Sequence, residues 1–321
     1  MELHAGESQG VEPEELRGVA PSQDQPAAVE HRSGAADANG SDRAAHLLET
    51  NDTVDVEAYL ARIGYRGSLE PTAATLRALT SAHTHTVPFE NLAIQLGGAV
   101  HLDLHRLQAK LVYRGRGGYC HEQNPLFGAV LAQIGFPVEF RSARMLMGAD
   151  ESTIDAVGHT LLEVTADGKP WMVDVGVGNT GPLEPLPLVD GTHLHQGSWA
   201  YRLDRSPAGR WVLRLWRGDG WFTLYQFSDE PYYPADIRDH NYVAATHPDS
   251  PFVRHLVVDR NGSRERWSLV DRRLDIHRPG QPRTRHELPA SEVPNVLASR
   301  FGLTLTPEES AQLVVLLDQR G

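Results

Sequence analysis

Large apolar side chains are sparse over the first 46 residues and then recur at helical spacing. That contrast separates a polar leader from a globular body. After Asp52 and Thr53, a plausible capping pair, Val56, Tyr59, Leu60 and Ile63 share one helical face. A second helix is expected from Thr72 through Leu79, and a third where Leu104, Leu107 and Leu111 recur. Leu126, Phe127, Val130, Leu131 and Ile134 line a fourth, which Gly135 stops. Residues 47–136 are therefore expected to form a small helical bundle.

Beyond Pro137 the period changes. Val138 to Met147, His159 to Thr165, Trp171 to Val177, Trp199 to Leu203, Trp211 to Leu215 and Phe222 to Phe227 are short β-branched or aromatic runs. Turn residues punctuate them, so 137–234 reads as an antiparallel sheet or barrel. Residues 235–321 mix strands (Leu256 to Asp259, Arg264 to Val270) with helices at Ser291 to Arg300 and Pro307 to Asp318. The leader holds nine acids against three Lys or Arg, a net of −6, which is half of the whole-chain −12. It is expected to be disordered.

The charge argues against nucleic acid or an anionic membrane as partner. No apolar run reaches the roughly 20 residues of a membrane span, and no signal peptide is visible. The 16 histidines are scattered. Their close pairs, His83/His85 and His193/His195, lie in polar or turn-like stretches, so no metal is expected.

One residue changes this picture. Cys120 is the sole cysteine, and it follows Arg116-Gly117-Gly118-Tyr119 at a helix start. It has no internal disulfide partner and cannot anchor a cysteine zinc cluster. A helix N-terminus favours the thiolate, which is the nucleophilic form. A reduced, cytoplasmic setting suits an unpaired thiol.

A nucleophilic thiol needs a base, and the base needs an acceptor to hold its ring. Asp167-Gly168 is a two-residue turn signal. If it is the loop tip, Ala166 opposes Lys169 and Leu161 opposes Asp174. His159 and Asp174 then share a face as diagonal neighbours. A three-residue loop would put them on opposite faces. A solvent-facing Asp174 is equally compatible with the alternation alone. His121, adjacent to Cys120, is a rival base, set aside because neighbouring side chains at a helix start diverge.

The chain resembles the arylamine N-acetyltransferases. The resemblance rests on His85-Thr86-Val87-Pro88-Phe89-Glu90-Asn91-Leu92, on Arg116 to Cys120 with Glu122 and Asn124, on Gly158-His159, and on Val173-Asp174-Val175-Gly176. Asn241 and Ser250-Pro251-Phe252 extend it into the last third, and residues 1–46 fall outside it. It implies an α+β fold of helical bundle, antiparallel β-barrel and α/β lid, with a core similar to that of cysteine peptidases and transglutaminases. The implied triad is Cys120, His159 and Asp174. Arg116 and Glu122 are implied to support the nucleophile loop through a buried ion pair, and Phe89, Val177 and Gly178 to line the substrate pocket. Gly158 and His121 depart from the family's usual larger or non-basic residues.

The implied chemistry is two-step acyl transfer through acyl-cysteine, with acetyl-CoA as co-substrate, no bound cofactor, and an aromatic amine or hydrazine as acceptor. Three other readings share parts of this logic. An amide synthase would close a macrolactam from a chain on a carrier protein, a cysteine hydrolase would cleave peptides, and a non-catalytic relative would only bind ligand.

Overall fold

The computed structural model describes residues 53–320, so the expected acidic extension over 1–46 lies outside the described residues. Helix α1 (Val56–Ile63) starts where the Asp55 side chain accepts from the Ala58 N–H, and Gly64 ends it at φ 70°. Helix α2 (Ala73–Thr86) is capped by Thr72. Strand β1 (Phe89–Glu90) and the short helix α3 (Leu92–Gln95) follow. Helix α4 (Leu104–Gln108) runs into a wider turn, Ala109–Tyr113. Helix α5 (Cys120–Ile134) is buried from Cys120 through Leu131. Leu76, Leu79, Leu107, Leu126, Phe127 and Val130 join these helices in one core.

Eight strands form the second layer: β2 (Val138–Met145), β3 (His159–Ala166), β4 (Lys169–Val173), β5 (Leu186–Pro187), β6 (Thr192–Gln196), β7 (Trp199–Arg205), β8 (Trp211–Trp216) and β9 (Trp221–Phe227). Their order is β5-β4-β3-β2-β9-β8-β7-β6, antiparallel at every recorded pairing. The edge strands β5 and β6 also approach each other, so the sheet curls into a nearly closed barrel. Strand β3 is buried on both faces. Leu161 points into the barrel core with Tyr201, Leu213 and Tyr225, whereas Leu162 and Val164 pack on the α5 side. Burial on both faces makes β3 a nearly continuous apolar run.

The Asp167-Gly168 turn has φ of 50° and 69°, the left-handed pair that a two-residue hairpin needs. Ala166 opposes Lys169, as the turn chemistry predicts, and Leu162 opposes Val173. The expected strand to Val177 stops at Val173. Past that point the N–H of Val175 goes to Asn124 Oδ1 and that of Gly176 to Asp174 Oδ1, so neither joins the ladder.

The last third begins with helix α6 (Pro234–Thr246) and the short α7 (Pro251–Arg254). Strands β10 (Val257–Arg260), β11 (Arg266–Val270), β12 (Arg273–His277) and β13 (Thr284–Glu287) form a second sheet, ordered β1-β10-β11-β12-β13. Strand β1, from the helical segment, is its edge. The expected helix over Ser291–Arg300 is a 3-10 turn (Ala290–Glu292), α8 (Val293–Val296) and a wide turn (Leu297–Phe301) in series, before α9 (Pro307–Arg320). Leu256, Val258, Leu269, Val293, Leu313 and Leu317 fill the core between sheet and helices.

Candidate active site

Helix α5 presents Cys120 as its first residue. Tyr119, extended at φ −104° and ψ −172°, is the N-cap, and its N–H donates to Glu122 Oε2 at 3.2 Å. Glu122 thus occupies the third helical position of a capping box. Its charge is not left alone, because Lys110 Nζ donates to its two oxygens at 2.7 and 2.9 Å.

The same lysine lies 3.9 Å from Glu90, and Arg116 Nε donates to Glu90 Oε1 at 3.2 Å. The expected direct Arg116–Glu122 pair is therefore absent. The two residues belong instead to a buried cluster in which Arg116 pairs with Glu90 and Glu122 pairs with Lys110. Burial pushes both carboxyls up. Lys110 and Arg116 more than offset this at Glu90, which ends below the usual range, while repulsion from Glu90 helps leave Glu122 above it.

Strand β3 brings His159 to Cys120 from the barrel side. His159 Nε2–H donates to Asp174 Oδ2 at 2.6 Å, and the two residues are only 3% and 1% exposed. The imidazole also interacts with the Cys120 sulfur. Since Nε2 is committed to Asp174, Nδ1 is the nitrogen left for the thiol. Asp174 has no idle oxygen. Oδ2 also accepts from the Tyr225 hydroxyl at 2.9 Å, and Oδ1 accepts from Asn124 Nδ2 and the Gly176 N–H, both at 3.0 Å. Burying such a carboxyl is tolerable because every lone-pair direction meets a donor.

Burial pushes the Cys120 thiol up, but the imidazoles of His121 and His159 overcome it and bring the thiol down to about 5. Burial lowers His159, and Asp174 together with the thiolate raises it to about 10. The pair therefore rests as thiolate and imidazolium across neutral pH.

Gly176 closes the site from behind. A Cβ there would fall 2.6 Å from Cys120 Cα and 2.8 Å from Asn124 Nδ2. Two residues on, Gly178 passes Asp259 and Phe89, which face each other across β1 and β10. Phe89 is 5.9 Å from the Phe252 ring, and Phe252 meets Tyr119 edge-on at 5.3 Å. Phe89 and Gly178 thus lie together beside the Gly118–Cys120 loop, with the half-buried Val177 between Gly176 and Gly178.

Sequence reasoning did not find Asn124, Tyr225 or Lys110 as working parts of the site. Asn124 was visible only as part of a motif, and nothing in a strand such as Trp221–Phe227 marks Tyr225. His193 and His195 sit on strand β6, away from this constellation, with His193 edge-on to Trp221 at 5.2 Å. Among the described residues no group of three or more His, Cys, Asp or Glu is arranged to hold a metal ion.

The N-acetyltransferase family model matches residues 72–310, which takes in every side chain of this constellation. The chain belongs to the arylamine N-acetyltransferase family. The arylamine N-acetyltransferase of Mycobacterium tuberculosis is 38% identical over 256 residues, 78% of this chain and 90% of that protein. The crystal structure of the Nocardia farcinica enzyme superposes with a TM-score of 0.79 at 37% identity, covering 85% of this chain and 98% of that one. The Mycobacterium marinum enzyme in complex with CoA gives 0.77 at 38% identity, covering 83% and 99%. An arylamine N-acetyltransferase architecture of helices, nearly closed barrel and second sheet is thereby shared, and the protein is an acyltransferase. No described helix is long and apolar enough to cross a membrane.

Proposed function

We propose that the protein moves an acetyl group from acetyl-CoA to the nitrogen of an aromatic amine or hydrazine, with Cys120 as nucleophile, His159 as base and Asp174 as the group that orients the ring. The observation carrying this reading is the 2.6 Å His159–Asp174 contact beside a buried thiol at a helix start.

In the first half-reaction the Cys120 thiolate attacks the thioester carbonyl. The carbon–sulfur bond to CoA breaks, and the CoA thiolate takes the proton held by His159. In the second, a neutral amine attacks acetyl-Cys120. The carbon–sulfur bond to Cys120 breaks, and His159 takes the proton that the amine loses. The thiolate–imidazolium pair is thereby restored. One thioester replaces another, so the intermediate waits for an acceptor. Aromatic amines and hydrazines fit because their nitrogen is neutral near pH 7, whereas an alkyl amine must first lose a proton.

Phe89, Val177 and Gly178 are assigned to the acceptor pocket, with Gly178 leaving room for the pantetheine arm. Arg116 and Glu122 keep the nucleophile loop in place through their separate partners. A lone working thiol suits a reducing cytoplasm. No observation favours the macrolactam-forming or hydrolytic readings.

Intact mass after mixing with acetyl-CoA tests the proposal. A gain of one acetyl group, lost on adding an arylamine, is expected. An unmodified protein that reacts only with a carrier-tethered thioester would overturn it.

A further inference from the structure

The imidazole of His121 has no duty in this scheme, yet it is completely buried beside the nucleophile. Its Nδ1 lies 2.8 Å from Thr160 Oγ1. Its ring stands edge-on to Tyr119 at 5.4 Å. Its Nε2 is buried without an aligned hydrogen-bond partner in the protein. A buried imidazole nitrogen left idle costs free energy, so its retention asks for a use.

The placement is a consequence of how α5 meets β3. Successive strand residues face opposite sides. His159 turns to the barrel side and engages Asp174, while Thr160 turns to the helix side and engages His121. Asn124 Nδ2 locks the junction by donating to the Thr160 carbonyl at 2.6 Å. Two adjacent helix residues thus meet two adjacent strand residues, and an imidazole arrives at the sulfur from each element. Thr160 holds the His121 ring by its Nδ1 edge, so the orientation of this imidazole is set by the strand and not by the helix alone.

We propose that His121 is a second imidazole acting on the Cys120 sulfur, held by Thr160 so that its Nε2 side serves the thiolate alongside His159. The inference rests on Cys120 being the nucleophile. It adds a group that supports the anion when His159 has given up its proton, which is the state in which an acyl-Cys120 must expel its sulfur. Consistent with this, His121 contributes along with His159 to the low thiol pKa. The other ionisable groups facing this corner are Tyr119 and Tyr232, both raised first by burial and also by the nearby thiolate, and His240, lowered by burial and by His121. At neutral pH none of these three supplies a positive charge to the sulfur.

The test is the pH dependence of Cys120 alkylation by iodoacetamide, which needs no acyl donor. In His121→Phe the inflection is expected to rise by about one to three pH units, the range by which one nearby opposite charge shifts a buried acid. Thr160→Val keeps the imidazole but frees it, and should move the inflection in the same direction by less. Thr160→Val alone decides the matter if His121→Phe fails to fold. Inflections matching wild type in the folded variants overturn the inference. Acetylation of wild type by acetyl-CoA is measured in parallel. If that fails, the nucleophile assignment falls, whereas an unmoved inflection with intact acetylation removes only the role of His121.

Discussion

His159 Nε2 lies 2.6 Å from Asp174 Oδ2, and that contact decides which imidazole nitrogen meets the sulfur. An acceptor-only oxygen at Nε2 keeps the proton there and leaves Nδ1 for the thiol. Asp174→Asn keeps the shape but replaces the oxygen's charge and allows an amide N–H to face the ring. The ring then loses both its fixed tautomer and support for the imidazolium. Acetyl transfer should fall by roughly 10⁴-fold, the loss seen when serine triads suffer the same change. A fall in kcat/KM of less than tenfold would mean that Asp174 does not orient the base.

The pH profile follows from the same pair. Cys120 is brought down to about 5 and His159 raised to about 10. Below the lower value the thiol is protonated and unreactive, so alkylation should climb as pH rises through about 5 and then level. Acetyl transfer should hold between the two values and drop as pH passes about 10, where His159 has no proton to give the leaving CoA. Stopped-flow alkylation and steady-state transfer across this span check both limbs. Alkylation that climbs only near pH 8 or 9 would contradict a thiolate resting state.

Much of this was legible in the sequence because it is local. The Asp167-Gly168 turn fixes the hairpin register, so the shared face of His159 and Asp174 follows from a two-residue loop. A single cysteine before a capping-box glutamate identifies the start of α5. What was not legible depends on distant elements. Strand β1 has two residues and exists only because β10 pairs with it. Helix α6 buries just Ile237 and Asn241, so it carries almost no apolar periodicity. Its signature was Pro234 at the first position with Asp236 capping Tyr233. Tyr225 reaches Asp174 from a strand 51 residues later. Glu122 finds Lys110, on the 109–113 turn twelve residues earlier, rather than Arg116.

That cluster makes a prediction about stability. Lys110 serves two buried carboxylates, Glu90 and Glu122. Lys110→Met keeps the stem's bulk and removes the charge. Breaking a buried pair in this way should cost about 3–5 kcal/mol. Glu122 already sits above its ordinary range, from burial and repulsion by Glu90, and losing Lys110 raises it further. A carboxyl whose folded-state pKa is raised stabilises the fold below its unfolded pKa and loses that contribution as pH rises. Lys110→Met should therefore be least stable relative to wild type at neutral pH and recover part of the loss toward pH 5. Urea unfolding at both pH values checks this, and a deficit that grows on acidification would refute it.

Gly176 supplies a prediction of the opposite kind, in which catalysis suffers more than stability. Its backbone needs no positive φ, so the constraint is contact alone. A methyl group there meets the Cα of Cys120 at 2.6 Å, and a backbone atom at a helix start cannot swing aside as a flexible side chain can. In Gly176→Ala the segment after Asp174 must back away from α5. It carries with it the N–H that donates to Asp174 Oδ1 and strains the Asn124 bridge. Overpacking of this sort costs about 1–3 kcal/mol, which a fold of this size survives. Displacing the base and its partner relative to the sulfur by about 1 Å can cost on the order of 10²-fold in rate. The expected result is a folded protein with a modestly lower Tm, Cys120 still alkylated, and kcat for acetyl transfer down about a hundredfold. A variant that keeps wild-type kcat while losing stability would show that the close approach serves packing and not the alignment of Cys120 with His159.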